Sequence, residues 1–306
     1  MSGLRLRYLV VGFGNIGAKR KAVLGSQCVA TVDPLNAEAD FRTPAECAPD
    51  RYDAAILAVP NDVKIDLIRY FLERGKPVLV EKPLLLEPDA ADALAATAAR
   101  TGTIWYTAYN FRFEPHVLGL KRRLASGELG RIYGVRMFYG NGTAGNIAGT
   151  WRDAGYGVLE DMASHLIDLT GYVFGKAGCE FEVWSLRRHE LKVPDHCVLA
   201  TADHEIVIEC SFLSWKNRWV IEVTGERGSI EMNGLTKWGT SELIVRRRRF
   251  PSGAPDEALE VLGGPDPTWG AELLRFESEV AAGRTSRDND VWITRTVMHA
   301  VDAARE

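Results

Sequence analysis

Gly12, Gly14 and Gly17 follow directly on an apolar run in the segment LRYLVVGFGNIG, residues 6 to 17, and an acid, Asp33, closes the next apolar stretch, VATVD. Strand, glycine turn, helix start and a carboxylate some twenty residues on are what binding a dinucleotide demands of a chain. Gly12 permits the tight turn, Gly14 lets backbone N–H groups approach a pyrophosphate, and Gly17 lets the helix lie close to the strand. The helix start, with Asn15 and Ile16, offers unpaired donors and the positive end of a dipole to the phosphates. Asp33 suits the adenine-ribose hydroxyls and repels a 2′-phosphate, and Pro34 follows where an NADP binder prefers serine or arginine. The expected cofactor is therefore NAD, with NADP the weaker candidate.

Two further groups of residues carry chemistry. The run VLVEKP sets Glu81, Lys82 and Pro83 at the carboxyl edge of a parallel sheet, where open α/β folds bind ligands. A lysine there, desolvated and near other cations, loses part of its ordinary pKa of about 10.4 and donates to a substrate oxygen on which charge develops. A surface lysine capping a loop is the other reading of Lys82. Downstream, GYGVLEDMASHLIDLTGYVFG places Asp161, His165 and Asp168 at i, i+4 and i+7, on one helical face beside the apolar stripe Leu159, Met162, Leu166 and Leu169. An imidazole with a pKa of about 6.5 beside a carboxylate accepts a hydroxyl proton near neutral pH while the carboxylate orients it. A helix-surface ion pair satisfies the same spacing.

The elements that must position these groups are legible as alternation. After the first unit come the strand AAILAV, a helix from Val63 to Arg74 ended by Gly75, the strand PVLVE, an alanine-rich helix over 89–100 opened by Glu87-Pro88-Asp89, and the strand TIWYTAY. Strands alternating with helices predict a doubly wound parallel sheet, a Rossmann domain over residues 1–117. From 118 to 306 the pattern changes. RIYGVRMFYG, EFEVWSL, HCVLATA, EIVIECSF, RWVIEVTG and SELIVRR succeed one another as β segments, with reversals at Ala202-Asp203 and Gly225-Glu226 and two closing helices near 268–282 and 289–305. That predicts a C-terminal α/β domain with an open, mainly antiparallel sheet. The connector GNGTAGNIAGT, residues 140 to 150, reads as a mobile edge of a cleft or as a plain surface loop.

Composition sets the outer bounds. The 306 residues suffice for two domains, 46% apolar and 25% charged residues describe an ordinary globular chain, and a net charge of -4 argues against nucleic acid or an anionic membrane as partner. The basic run Arg246 to Arg249 reads as solvated charge on an edge strand. Five cysteines, an odd number without a CxxC pair, fit reduced thiols in the cytoplasm, and the first apolar run is too short for a signal or membrane span. His196, Cys197, His204 and Cys210 match no tetrahedral zinc spacing, so no metal is expected.

In order along the chain, GFGNIG, AVPN, VEKP, YNFRFEP, Trp151-Arg152 and GVLEDMASHLIDL resemble the motifs of the glucose-fructose oxidoreductase, inositol dehydrogenase and MocA (Gfo/Idh/MocA) family. The resemblance implies that Val59, Pro60, Asn61, Glu81 and Lys82 border the cofactor, that Lys82 is also the catalytic lysine, and that Asp161 and His165 are the paired acid and imidazole. It further implies that Tyr109, Asn110, Arg112, Trp151 and Arg152 border the substrate together with Lys82, Asp161 and His165, and that the two groups of residues form one site across an interdomain cleft. The implied activity is an NAD(P)-dependent dehydrogenase acting on a CH–OH group of a sugar, sugar nucleotide or cyclitol, in a homodimer or homotetramer built through the C-terminal sheet. The same fold also serves NAD-dependent glycosidases and non-catalytic NAD-dependent sensors. The chain departs from the family pattern at Lys64, where many members carry histidine, and at Met162-Ala163, where a glycine-containing pair is common. It is also short for the family.

Overall fold

In the computed structural model, which describes residues 6–150 and 152–303, the first apolar run becomes β1 (Tyr8–Val11), buried at every position. The chain then forms α1 (Asn15–Leu24), β2 (Cys28–Val32), β3 (Ala54–Leu57), α2 (Asn61–Leu72), β4 (Val78–Glu81), α3 (Pro88–Thr101) and β5 (Trp105–Ala108). The five strands are parallel, in the order β2-β1-β3-β4-β5. Helices on both faces explain why these strands read as unbroken apolar runs rather than alternating ones. The chain leaves β1 toward β2 and then crosses back to β3, so the carboxyl ends of β1 and β3 flank the switch point where such sheets bind ligands. Helix α2 begins at Asn61, two residues before the expected start, because Pro60 supplies its N-terminal boundary.

The second sheet has eight strands: β6 (Ile132–Gly140), β7 (Phe181–Arg187), β8 (His196–Thr201), β9 (Ile206–Ser211), β10 (Arg218–Gly225), β11 (Gly228–Asn233), β12 (Ser241–Arg247) and β13 (Asp256–Leu262). Their order is β13-β12-β11-β10-β6-β9-β8-β7. Adjacent strands run antiparallel except β6 and β9, which are parallel. The reversals fall where Ala202-Asp203 and Gly225-Glu226 predict them. Inward residues of β6 and β10, among them Met137, Tyr139, Trp219 and Ile221, are buried beneath a π-helical turn, Leu159–Ala163, and the helices around it. Those helices are α4 (Pro115–Ala125), to which the sequence reading assigned no element, α5 (Ala144–Ile147), a single turn inside the glycine-rich connector, and α6 (Ser164–Phe174). The opposite face of the sheet stays open, with Tyr133 and Trp184 half exposed.

One expectation is overturned here. The basic run does not lie on an edge strand, because β13 covers β12 and is itself the edge. Arg246 bonds Glu231 of β11 at 2.8 Å and Glu257 of β13 at 2.7 Å, which are cross-strand charge pairs, while Arg247 reaches Glu128 in the turn after Ala125 and Arg249, beyond the end of β12, pairs with Asp256.

Two helices, α7 (Thr268–Ala282) and α8 (Arg287–Ala303), complete the chain. The chain divides into two units: residues through Asn110 with Trp269–Thr294, and Phe111–Thr268 with the chain from Arg295. A single boundary along the sequence has no place for that returning segment. Its buried groups tie it to the first sheet: Asp290 accepts from the Trp105 indole and the Thr107 hydroxyl, both at 3.0 Å, and the Thr294 hydroxyl accepts from the Leu86 amide at 2.7 Å. Arg20 of α1, fully buried, donates to Glu81 at the tip of β4 and to Glu272 of α7, each at 2.7 Å, under the ring of Trp269. Among the described residues no helix is long and apolar enough to cross a membrane. Arg20→Met should lower the unfolding free energy of the first unit by about 3–5 kcal/mol, since it strands two carboxylates in the interior. Urea denaturation followed by tryptophan fluorescence checks this, and a loss under about 1 kcal/mol would contradict it.

Candidate functional site

In the first unit the candidate residues gather at the carboxyl ends of the strands. Gly12 adopts φ +88°, and a Cβ there would collide with the carbonyl of Ala58, while a Cβ on Gly17 would collide with the carbonyl of Gly12. Gly14 is the opposite case: nothing lies within 4 Å of where its Cβ would be, leaving open space before the N-terminus of α1, whose first turn holds no acid. Asp33 bridges the turn to β2. One carboxylate oxygen accepts from the amides of Leu35 (2.9 Å) and Asn36 (2.8 Å), the other from the amide of Phe13 (2.7 Å). Burial works against its charge, but the amides of Asn36, Leu35 and Phe13 outweigh it and hold the carboxyl below the usual range. The open approach at Gly14, the donors of α1 and an ionised Asp33 fit the diphosphate and ribose of a dinucleotide.

Val59, Pro60 and Asn61 form the corner between β3 and α2, braced where the Ala58 amide donates to the Val11 carbonyl at 2.8 Å. Glu81 ends β4, and its carboxylate accepts from Arg20. Lys82 precedes Pro83 through a cis peptide. The carbonyls of Glu81 and Pro83, on either side of it, both accept from the Lys64 ammonium, a contact the sequence reading did not anticipate. Tyr109 is buried just beyond β5, and Asn110 opens a 3-10 turn.

In the second unit the candidates surround the π-helical turn and the start of α6. His165 is 4% exposed and stacked on Phe111, ring centroids 4.0 Å apart and planes 16° from parallel. Phe111 in turn meets Trp219 and Tyr139 edge-on at 4.9 and 5.8 Å, and the Lys237 ammonium lies 4.3 Å from its centroid. Burial, with Asp161 nearby, pushes the Tyr139 phenol well above its ordinary pKa, so it stays protonated. Asp161 is partly exposed and accepts from Arg152 at 2.9 Å. Asp168 is 1% exposed and receives both arms of the Arg112 guanidinium, the Nε bond being 2.8 Å. The three-residue ridge therefore divides: Asp161 is half in solvent, His165 lies in an aromatic stack, and Asp168 is engaged with Arg112. The π turn contributes, because its wider spacing changes the register between Asp161 and His165 from the one a uniform α-helix sets. Asp153, next to Arg152, accepts from the Gly149 and Lys192 amides and anchors that segment. Trp151 lies outside the described residues.

The remaining candidates do other work. Cys197 and Cys210 face each other, buried, across β8 and β9; His196 begins β8; and His204 bonds Glu182 at the surface. The signal for Phe111 was present in YNFRFEP, but its stacking partner lies on a different helix.

Residues 6–109 match the oxidoreductase family with an NAD-binding Rossmann fold, and residues 117–231 match the GFO/IDH/MocA C-terminal domain. The chain belongs to the GFO/IDH/MocA family. It is 28% identical over 188 residues to the inositol 2-dehydrogenase of Rhizobium meliloti, covering 56% of each chain. To the scyllo-inositol 2-dehydrogenase (NAD(+)) of Bacillus subtilis it is 29% identical over 188 residues, 56% of this chain and 54% of that protein. The chain thus spans about half the length of these relatives. The fold is that of levoglucosan dehydrogenase in complex with NADH, with a TM-score of 0.80, 20% identity and 97% of both chains covered.

Gly14→Ala should leave the melting temperature within about 2 °C of the parent, because no atom opposes the added methyl, yet weaken NADH binding by about tenfold or more. Gly17→Ala should instead destabilise by about 1–3 kcal/mol or more through the clash with Gly12. Thermal melts and NADH fluorescence titrations separate the two, and equal melting temperatures would contradict the assignment.

Proposed function

We propose that this chain is an NAD-dependent dehydrogenase acting on a secondary alcohol, or its ketone, in a sugar, sugar nucleotide or cyclitol. The observation that carries this reading is the glycine turn opening onto the N-terminus of α1 with Asp33 held ionised beside it; Lys82, just past β4, and His165, flat on Phe111, are the groups to which the chemistry is assigned. Matches to two inositol dehydrogenases support the substrate class.

NAD, when bound, supplies the hydride acceptor or donor at its nicotinamide ring. Lys82 donates a hydrogen bond to the substrate oxygen and stabilises the charge that develops on it. His165 takes the hydroxyl proton; its stack on Phe111 removes rotational freedom from the ring. Asp161 orients His165 or a neighbouring substrate hydroxyl, with Arg152 restraining its carboxylate. Asp33, kept ionised by three amides, accepts from the ribose hydroxyls and repels a 2′-phosphate, which favours NAD over NADP.

The open face of the eight-stranded sheet supports a further part of the proposal, that a second copy covers it in a homodimer or homotetramer. Trp184 and Tyr133, 52% and 49% exposed, lie there among Arg136, His204 and Glu222. The proposed compartment is the cytoplasm, which suits an odd set of cysteines without CxxC pairs.

With NAD and a panel of polyols, Lys82→Met and His165→Asn should each lower kcat by about 10²–10⁴-fold while NADH affinity stays within about threefold. NADH should accumulate in step with polyol consumed; turnover of a glycoside without NADH accumulation would point instead to a glycosidase. In fluorescence titrations NADH should bind more tightly than NADPH, and Asp33→Ser should narrow the difference. Tighter binding of NADPH by the parent would overturn the cofactor assignment. By light scattering, Trp184→Glu should lower the oligomer mass.

A further inference from the structure

Lys64, on α2, has no part in the chemistry just described, yet the fold spends a buried charge on it. The residue is 2% exposed, and its ammonium donates to the carbonyl of Glu81 at 2.6 Å and to the carbonyl of Pro83 at 2.7 Å. Burying an ammonium is costly unless its donors are satisfied, so an apolar side chain would serve better if the position had only to fill space. These two carbonyls belong to the residues that flank Lys82. The first fixes the peptide plane leading into Lys82, and the second fixes the plane that follows Pro83. Charge-assisted bonds of this kind are shorter and stronger than neutral ones. On the side-chain level Arg20 grips the carboxylate of Glu81, and on the far side β4 pairs with β5 through Glu81 and Ala108. Glu81-Lys82-Pro83 is therefore clamped by two buried cations, one on its backbone and one on its acid.

We propose that Lys64 is a positioning residue: by holding the carbonyls on both sides of Lys82 it sets the direction in which the Lys82 side chain leaves the sheet edge. The consequence for catalysis rests on the dehydrogenase reading; the anchoring of the backbone does not. Lys64 touches neither substrate nor cofactor in this scheme and acts through Lys82.

The test uses Lys64→Met and Lys64→Arg in the full chain, with two readouts. The first is steady-state kinetics with NAD and the best polyol of the panel, below the melting temperature of each variant. Lys64→Met should lower kcat by about 30-fold or more, with KM and NADH affinity within about threefold of the parent. The second needs no turnover: the rate at which Lys82 is acetylated by dilute acetic anhydride, read by peptide mass spectrometry against Lys21 as internal standard. That ratio should change by about threefold or more in Lys64→Met. A folded Lys64→Met with parental kcat, or with a parental Lys82 labelling ratio, overturns the proposal. If Lys64→Met does not fold, Lys64→Arg decides, since it keeps the charge but presents its donors from a planar fork. A lowered kcat and an altered labelling ratio at parental NADH affinity support positioning, and parental values overturn it. A parent that oxidises no polyol, alongside variants whose Lys82 labelling shifts, overturns the dehydrogenase reading and leaves the anchoring supported.

Discussion

The buried guanidinium of Arg20 is the constraint on which the first unit depends. It joins three elements distant in sequence: α1, whose N-terminus faces the glycine turn; the tip of β4; and α7, which returns from the far end of the chain. A cation so enclosed depends on both partners, because losing either carboxylate removes one of its two counter-ions and leaves guanidinium donors unsatisfied in the interior. The three elements accordingly share one arrangement, and what lies beside Glu81 inherits it. Asp33 does on the other side of the sheet what Arg20 does here, tying the glycine turn to the end of β2 through the amide of Phe13.

The second unit places its chemical groups by a different force. His165 is held by ring stacking on Phe111, itself wedged against Trp219 and Tyr139, and by burial beneath the eight-stranded sheet's inner face. Such packing is insensitive to salt, whereas the half-exposed pair of Asp161 and Arg152 is open to screening. The imidazole plane is thus set by the core, while the neighbouring carboxylate remains adjustable. Asp168 belongs to the core side of this division: buried and forked to Arg112, it secures the segment that carries Phe111.

Much of the fold was legible in the residues. The parallel strands announced themselves as continuous apolar runs, and the second sheet as alternation with turns at Ala202-Asp203 and Gly225-Glu226. Strand order was not legible. The insertion of β6 between β10 and β9 pairs segments about seventy to ninety residues apart, and no local pattern encodes it. Nor was β13: Asp256–Leu262 is exposed throughout, and its acids find their partners, Glu257 with Arg246, Asp256 with Arg249 and Glu260 with Arg123, only in the folded chain. Helix α4 was hidden because its signals follow a proline that reads as a boundary.

By itself the sequence determined the glycine turn with its acid and the lysine at a strand edge, since each follows from steric limits and spacing over a few residues or one strand-helix unit. It also determined an acid and an imidazole on one helical segment. Only the tertiary structure decided how those groups are held. Asp168 meets Arg112 across 56 residues, and Arg20 meets Glu272 across 252. Lys64 spans 17 and 19 residues to the carbonyls around Lys82. Such partnerships arise where burial leaves a charge with no water to turn to, and burial is a property of the folded chain as a whole.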